Sequence, residues 1–242
     1  MAEKIRLDVL IFQKGLVPSR TKSTALIMEG KVTVDGRIVT KAGTTVSPES
    51  EIVIKEPAEF VSRGGTKLKK ALEELSVQVK DKVCLDIGAS TGGFTDCLLK
   101  NGTKKVYCID VGYNILDSKL CSDPRVVNFE KTNIRHFDKS LLKDEIDLAV
   151  VDVSFISLEK VLPKVKELVK KGGEILAMVK PQFEAPRGST KKGVVTDEKI
   201  RLETIEKIKN FSKTLGFTLL GEASSPIKGP KGNLEHFLYF RN

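Results

Sequence analysis

No apolar run in this sequence approaches the roughly 18 residues that a membrane-spanning helix requires, and the longest are short stretches such as Ile175-Leu-Ala-Met-Val179. A transmembrane helix is therefore excluded. The first residues, Met1-Ala-Glu-Lys-Ile-Arg-Leu-Asp8, carry charges where a secretory signal needs its apolar region, so a cytoplasmic chain with reduced thiols is expected. Close CxxC pairs are lacking too. Cys84, Cys97, Cys108 and Cys121 are widely spaced, which predicts four buried small hydrophobes and no zinc site. The two histidines, His136 and His236, fall in no metal or triad pattern, and no internal repeat or low-complexity tract is present. No metal is expected.

What the chain does have is a length of 242 residues, 40% of them apolar, enough for one large or two unequal globular domains. Its net charge is +9. Nine basic residues face eight acidic ones before residue 60, and 32 face 24 after it, so most of the excess lies in the later part. Such an excess fits a polyanionic partner, although a lysine-rich solvated surface would have the same composition.

Residues 5–54 read as a small α+β module. Leu7, Leu10 and Ile11, then Ala25, Leu26 and Met28, predict two short helices. Ser19 suits the N-cap of the second and Gly30 its left-handed close. Lys31–Val34 and Arg37–Val39, joined by Asp35-Gly36, predict a hairpin with a type I′ turn. Beyond a polar, proline-bearing linker at 55–61, strand-like and helix-like segments alternate: 83–87, 95–101, 105–109, 148–153, 158–169, 174–179 and 198–215, with 235–240 as a closing strand. Alternation of this kind predicts an α/β fold, a mostly parallel sheet with helices on both faces. The expected domains are 1–58 and 59–242.

The most informative segment is Val83-Cys-Leu-Asp-Ile-Gly-Ala-Ser-Thr-Gly-Gly-Phe-Thr95, an apolar strand, a glycine-rich turn and a helix start. Such a turn at the carboxyl end of the first strand is where open α/β sheets bind nucleosides. The loop contains no lysine, so it is not a phosphate-binding Walker loop, and its glycines do not follow the G-x-G-x-x-G dinucleotide pattern. Asp110 ends the next strand, where an acid can accept the hydroxyls of a ribose.

Two resemblances arise from these residues. Arg6-Leu-Asp-Val-Leu10, Ser19-Arg-Thr-Lys-Ser23 and Ile27–Gly36 resemble the S4 RNA-binding domain. That resemblance points to Arg20, Lys22, Lys31 and Arg37 as RNA-binding residues; the module's near-neutral charge leaves a spacer or dimerisation unit as the other reading. The glycine-rich run with Asp110 resembles the S-adenosylmethionine site of Rossmann-type methyltransferases. It implies Asp86, Gly88, Ser90, Gly92, Gly93, Phe94 and Asp110 as cofactor-binding residues.

The acceptor is read from the motifs around it. Asp152-Val-Ser-Phe155 lacks the two prolines of enzymes that methylate exocyclic amines, and no cysteine follows a proline as in covalent carbon-5 enzymes. A hydroxyl acceptor needs a base to remove its proton, which lysine can do as the neutral amine. Lys67, Asp152, Lys180 and Glu235 match the Lys-Asp-Lys-Glu tetrad of FtsJ-like ribose methyltransferases, with Lys180 implied as the general base.

Over residues 5–240 the whole chain resembles the TlyA, or haemolysin A-like, family: an S4 domain followed by an FtsJ-like methyltransferase domain. The resemblance implies S-adenosylmethionine-dependent 2′-O-methylation of ribose, with cytidine in ribosomal RNA as acceptor and ribosomal RNA or ribosomal subunits as partners. Oligomeric state stays open. A membrane-damaging protein, which the family name suggests, and a catalytically inactive RNA-binding protein are the alternatives. The loops 182–193 and 224–233, rich in glycine, proline and lysine, read either as mobile elements beside the acceptor site or as plain surface loops.

Overall fold

A computed structural model describes residues 4–55, 59–229 and 231–242. The chain divides into two compact units, Met1–Ala58 and Glu59–Asn242. Of the linker expected at 55–61, residues 56–58 lie outside the described residues.

The smaller unit contains β1 (Ile5–Arg6), α1 (Leu7–Gln13), α2 (Arg20–Met28), β2 (Val32–Val34), β3 (Arg37–Ile38), β4 (Thr45–Val46) and β5 (Ile52–Ile54). Strand β2 pairs antiparallel with β3 and β5, and β1 with β4. Its core joins Leu7, Leu10 and Ile11 of α1 to Leu26 and Ile27 of α2 and Val32 and Val34 of β2. The punctuation is physical: the Ser19 side chain accepts the Lys22 amide at 3.2 Å, and Gly30 turns left-handed at φ +67°. Asp35 and Gly36, at φ +49° and +76°, make the turn that suits strand twist. Met28 corrects the expected apolar stripe, because it is 68% exposed while its neighbour Ile27 is buried.

The larger unit runs α3 (Arg63–Glu74), β6 (Val83–Ile87), α4 (Gly93–Lys100), β7 (Lys105–Ile109), α5 (Ser118–Cys121), β8 (Val126–Phe129), β9 (Ile146–Val151), α6 (Leu162–Leu168), β10 (Val169–Val179), α7 (Pro181–Glu184), α8 (Glu198–Thr214), β11 (Thr218–Ser224) and β12 (His236–Arg241). The seven strands form one sheet in the order β11-β12-β10-β9-β6-β7-β8. Strands β10, β9, β6, β7 and β8 are parallel, whereas β12 is antiparallel to β10 and to β11. Side chains alternate across the pleat. Leu85 and Ile87 enter one core with Leu162, Val165, Ile205 and Ile208 from α6 and α8, and Cys84 enters the other with Leu68, Leu72 and Leu98 from α3 and α4. The expected α/β sheet, covered on both faces, is the one observed.

Several expectations need correction. The segment 158–169 is a short 3₁₀ turn at Leu158–Lys160 followed by α6, because Pro163 fits the first turn of a helix but cannot continue one from upstream. Three of the four cysteines are buried, but Cys121, at the end of α5, is exposed. Among the described residues no helix is long and apolar enough to cross a membrane.

Candidate active site

Strand β6 lies between β9 and β7, and the chain leaves it toward β7 and β8 on one side and toward β9 and β10 on the other. That reversal opens a crevice at the carboxyl ends of the strands. Two adjoining cavities occupy it, of about 480 Å³ and about 220 Å³, sharing Gly88, Ser90 and Asp152 as walls.

The larger cavity is walled by Ile109, Asp110, Val111, Ile115, Asn133, Ile134 and the turn Val153–Ile156. Asp110 is held rigidly, its carboxylate accepting the Ser90 amide at 2.8 Å and the Gly112 amide at 2.7 Å. Apolar walls around one fixed carboxylate suit a nucleoside, with the base in the greasy part and the ribose on the acid. The smaller cavity is more polar and includes Ser62, Arg63, Gly64, Lys67, Thr91, Gly93 and the edge of Phe94.

The glycines serve the protein before any ligand. A β-carbon at Gly88, which sits at φ +85°, would stand 2.7 Å from the Asp152 carbonyl oxygen. At Gly93 it would strike Ser62 Oγ, and at Gly92, φ +92°, the side chains of Leu120 and Leu116. Gly88, Ser90, Gly93, Phe94 and Asp110 line the cavities, whereas Gly92 and Asp86 are buried and line neither. The Asp86 carboxylate accepts the Thr95 hydroxyl at 2.6 Å, while its other oxygen has no partner among the described residues. Complete burial pushes the Asp86 carboxyl up to about 7, against the pull of the Thr95 hydroxyl.

Four charged side chains gather at the same edge as two ion pairs. Lys67, on the second turn of α3, pairs with Glu235. Lys180, immediately after β10, lies 2.6 Å from Asp152 Oδ1 and donates to Ser154 Oγ at 2.9 Å. The pairing of Val179 with His236 explains the meeting, since one step further brings Lys180 and Glu235 to the same end of neighbouring strands. The pairs are close enough that the charges of Lys67 and Glu235 act on Asp152, whose carboxyl burial holds above the ordinary range against the pull of Lys180.

In the small unit the four side chains expected to bind RNA differ in freedom. Arg20 donates to Asp8 at 2.8 Å, a carboxylate also gripped by Arg6, and Lys31 pairs with Glu29 at 2.5 Å. Among the described residues Lys22 and Arg37 have no ion-pair partner.

The chain matches the FtsJ-like methyltransferase model over residues 60–242 and the S4 domain model over residues 5–52. It belongs to the FtsJ-like methyltransferase family. It is 40% identical to the 16S/23S rRNA (cytidine-2′-O)-methyltransferase TlyA of Mycobacterium tuberculosis, over 100% of this chain and 91% of that relative. It is 43% identical to Hemolysin A of Brachyspira hyodysenteriae, over 98% and 99%. A solved Streptococcus thermophilus structure described provisionally as a hemolysin shares 39% identity, with a TM-score of 0.76 over 100% of this chain and 90% of that one. FtsJ-like enzymes use S-adenosylmethionine, and a largely apolar cavity around Asp110 beside a more polar one fits that cofactor.

Sequence reading missed Ser62, Arg63, Asn133, Ser154 and Phe155. The clearest overlooked signal was Ser62 two residues before Gly64, a helix N-cap whose side chain accepts the Gly64 amide at 3.3 Å. Phe155 is 91% exposed, at φ +62°, with its ring 5.1 Å from that of Phe183.

Proposed function

We propose that the protein methylates the 2′-hydroxyl of a cytidine ribose in ribosomal RNA, with Lys180 as the general base. The observation that carries this reading is the convergence of Lys67, Asp152, Lys180 and Glu235 at the carboxyl edge of the sheet, where Asp152 walls both cavities and Lys67 the smaller one. Asp110 would hold the ribose of S-adenosylmethionine, and Gly88, Ser90, Gly93 and the N-terminus of α3 its amino-acid portion. When bound, the cofactor supplies an electrophilic methyl group on a sulfonium. The chain's own task is then to place and deprotonate the acceptor. Transfer of that methyl group would break its bond to sulfur and leave a neutral thioether; Lys180 Nζ would take the proton of the ribose hydroxyl, and Asp152 would stabilise the ammonium that results. Lys67 and Glu235 fix the acceptor side of the pair. Phe155, with Arg135 and Lys160 around the same open cavity, offers a ring for the acceptor's base and charges for its phosphates.

The test is incubation with methyl-labelled S-adenosylmethionine and separate ribosomal subunits, followed by digestion of the RNA to nucleosides. Label in 2′-O-methylcytidine is expected, and its absence with Lys180→Ala, while that variant still binds cofactor and RNA. Label on a base, or full single-turnover activity of Lys180→Ala, would overturn the reading.

A further inference from the structure

Two segments leave neighbouring parallel strands at the active edge: Asp152–Ser157 after β9 and Lys180–Glu184 after β10. They are tied together by Glu184, which is 6% exposed. One of its carboxylate oxygens accepts the Ser157 hydroxyl at 2.6 Å and the other the Leu158 amide at 2.7 Å. A buried carboxylate that satisfies both oxygens on one neighbouring loop fixes that loop firmly. Between its tether at Ser157 and its root at Asp152 the loop carries Ser154, whose hydroxyl accepts from Lys180 Nζ at 2.9 Å.

The geometry around Nζ has a chemical consequence. An amine able to take a proton has two N–H groups and a single lone pair. The Ser154 hydroxyl accepts one of those N–H groups at 2.9 Å and the Asp152 carboxylate faces Nζ at 2.6 Å as its ion-pair partner, so two directions around the nitrogen are taken up and the lone pair is left the remaining one. Without Ser154 the amine can turn about its last carbon–nitrogen bond, because the Asp152 carbonyl, at 3.5 Å, is too distant to replace it.

We infer that Ser154 is a positioning residue for the Lys180 amine, presented by a loop that Glu184 clamps, and that its hydroxyl aims the lone pair at the acceptor. The inference rests on Lys180 being the base. It requires nothing of the cofactor and touches no reacting atom directly.

The test compares Ser154→Val with Ser154→Thr, side chains of one shape that differ in the hydroxyl, each beside Lys180→Ala. At saturating cofactor and RNA, Ser154→Val should lower the single-turnover rate by about 10- to 100-fold, the scale of a misaligned catalytic group. Ser154→Thr should restore most of that rate. Binding of S-adenosylmethionine by calorimetry and of RNA by filter retention should match wild type in both, which a loop collapse would not allow. Wild-type rates in Ser154→Val beside an inactive Lys180→Ala would overturn the positioning role and leave the base assignment standing. An active Lys180→Ala would overturn both. Weakened cofactor binding in Ser154→Val, with a rate that recovers at higher cofactor, would make Ser154 a cofactor ligand and overturn the proposal.

Discussion

Lys67 and Glu235, 168 residues apart in the chain, form an ion pair from which water is nearly excluded, with side-chain exposures of 8% and 1%. The pair joins a helix that precedes the sheet to the residue that precedes its antiparallel strand β12. Taking either partner away leaves the other charge buried without compensation, a loss of about 3–5 kcal/mol. Glu235→Gln should therefore lower the urea midpoint of the catalytic unit markedly. The double variant Lys67→Met/Glu235→Leu should recover much of the stability and none of the activity; equal destabilisation by single and double variants would contradict the account.

Gly92 is held at φ +92° with Leu116 and Leu120 against it. Gly92→Ala should lower thermal stability by about 1–3 kcal/mol through backbone strain and the collision together. The same substitution in a Leu120→Ala background should cost less, since the collision is then relieved. An identical cost in both backgrounds would leave the backbone conformation as the sole cause.

In the S4 unit, removing one phosphate-binding side chain should flatten the log–log salt dependence of RNA affinity by about 0.7–0.9. Lys22→Ala and Arg37→Ala should do so at unchanged stability, because both side chains are exposed. Arg20→Ala should in addition cost stability, since Arg20 helps neutralise the buried Asp8, whose carboxyl Arg6 and Arg20 hold below the ordinary range. Unchanged salt slopes in the quadruple variant with Lys31→Ala would make the unit a spacer.

Asp86 gives a pH dependence of defined sign. Its carboxyl keeps the proton up to about 7 in the folded protein but releases it near 3.8 when unfolded. Between those values the folded state binds more protons, so this residue's contribution to stability is intact at the acid end and is lost as pH rises toward 7. Asp86→Asn should remove that decline, read as urea midpoints across the same window. A wild-type midpoint that rises through it by the amount seen in the variant would show Asp86 to be ionised throughout.

The strand β6 and its turn were legible because a continuous apolar run followed by glycines has few other meanings at a parallel sheet. The helix α3 was not. Arg63-Gly-Gly-Thr-Lys67 opens with two glycines, poor helix formers, and only the packing of Phe60 against Gly65 and Ser62 against Gly93 shows why small residues are required there. Strand β11 was hidden for a different reason: Leu219 and Leu220 are both exposed, so burial writes no alternation into its sequence. Of the site, the four charged residues could be aligned by their order, but the division into pairs depends on strand register, and Cys121 shows that spacing alone does not bury a thiol.

The position of β12 also sets an order of assembly. It inserts between β10 and β11, so β11 has no place in the sheet until β12 has been made. During synthesis the glycine-rich turn and Asp110 emerge more than a hundred residues before Glu235. The nucleoside cavity can thus take shape on the nascent chain, whereas Lys67 waits, unpaired, for a residue made 168 positions later. On the acceptor site proposed above, a ribosome-tethered chain halted before β12 would hold the nucleoside cavity without Glu235, and methyl transfer would begin only when the sheet closes.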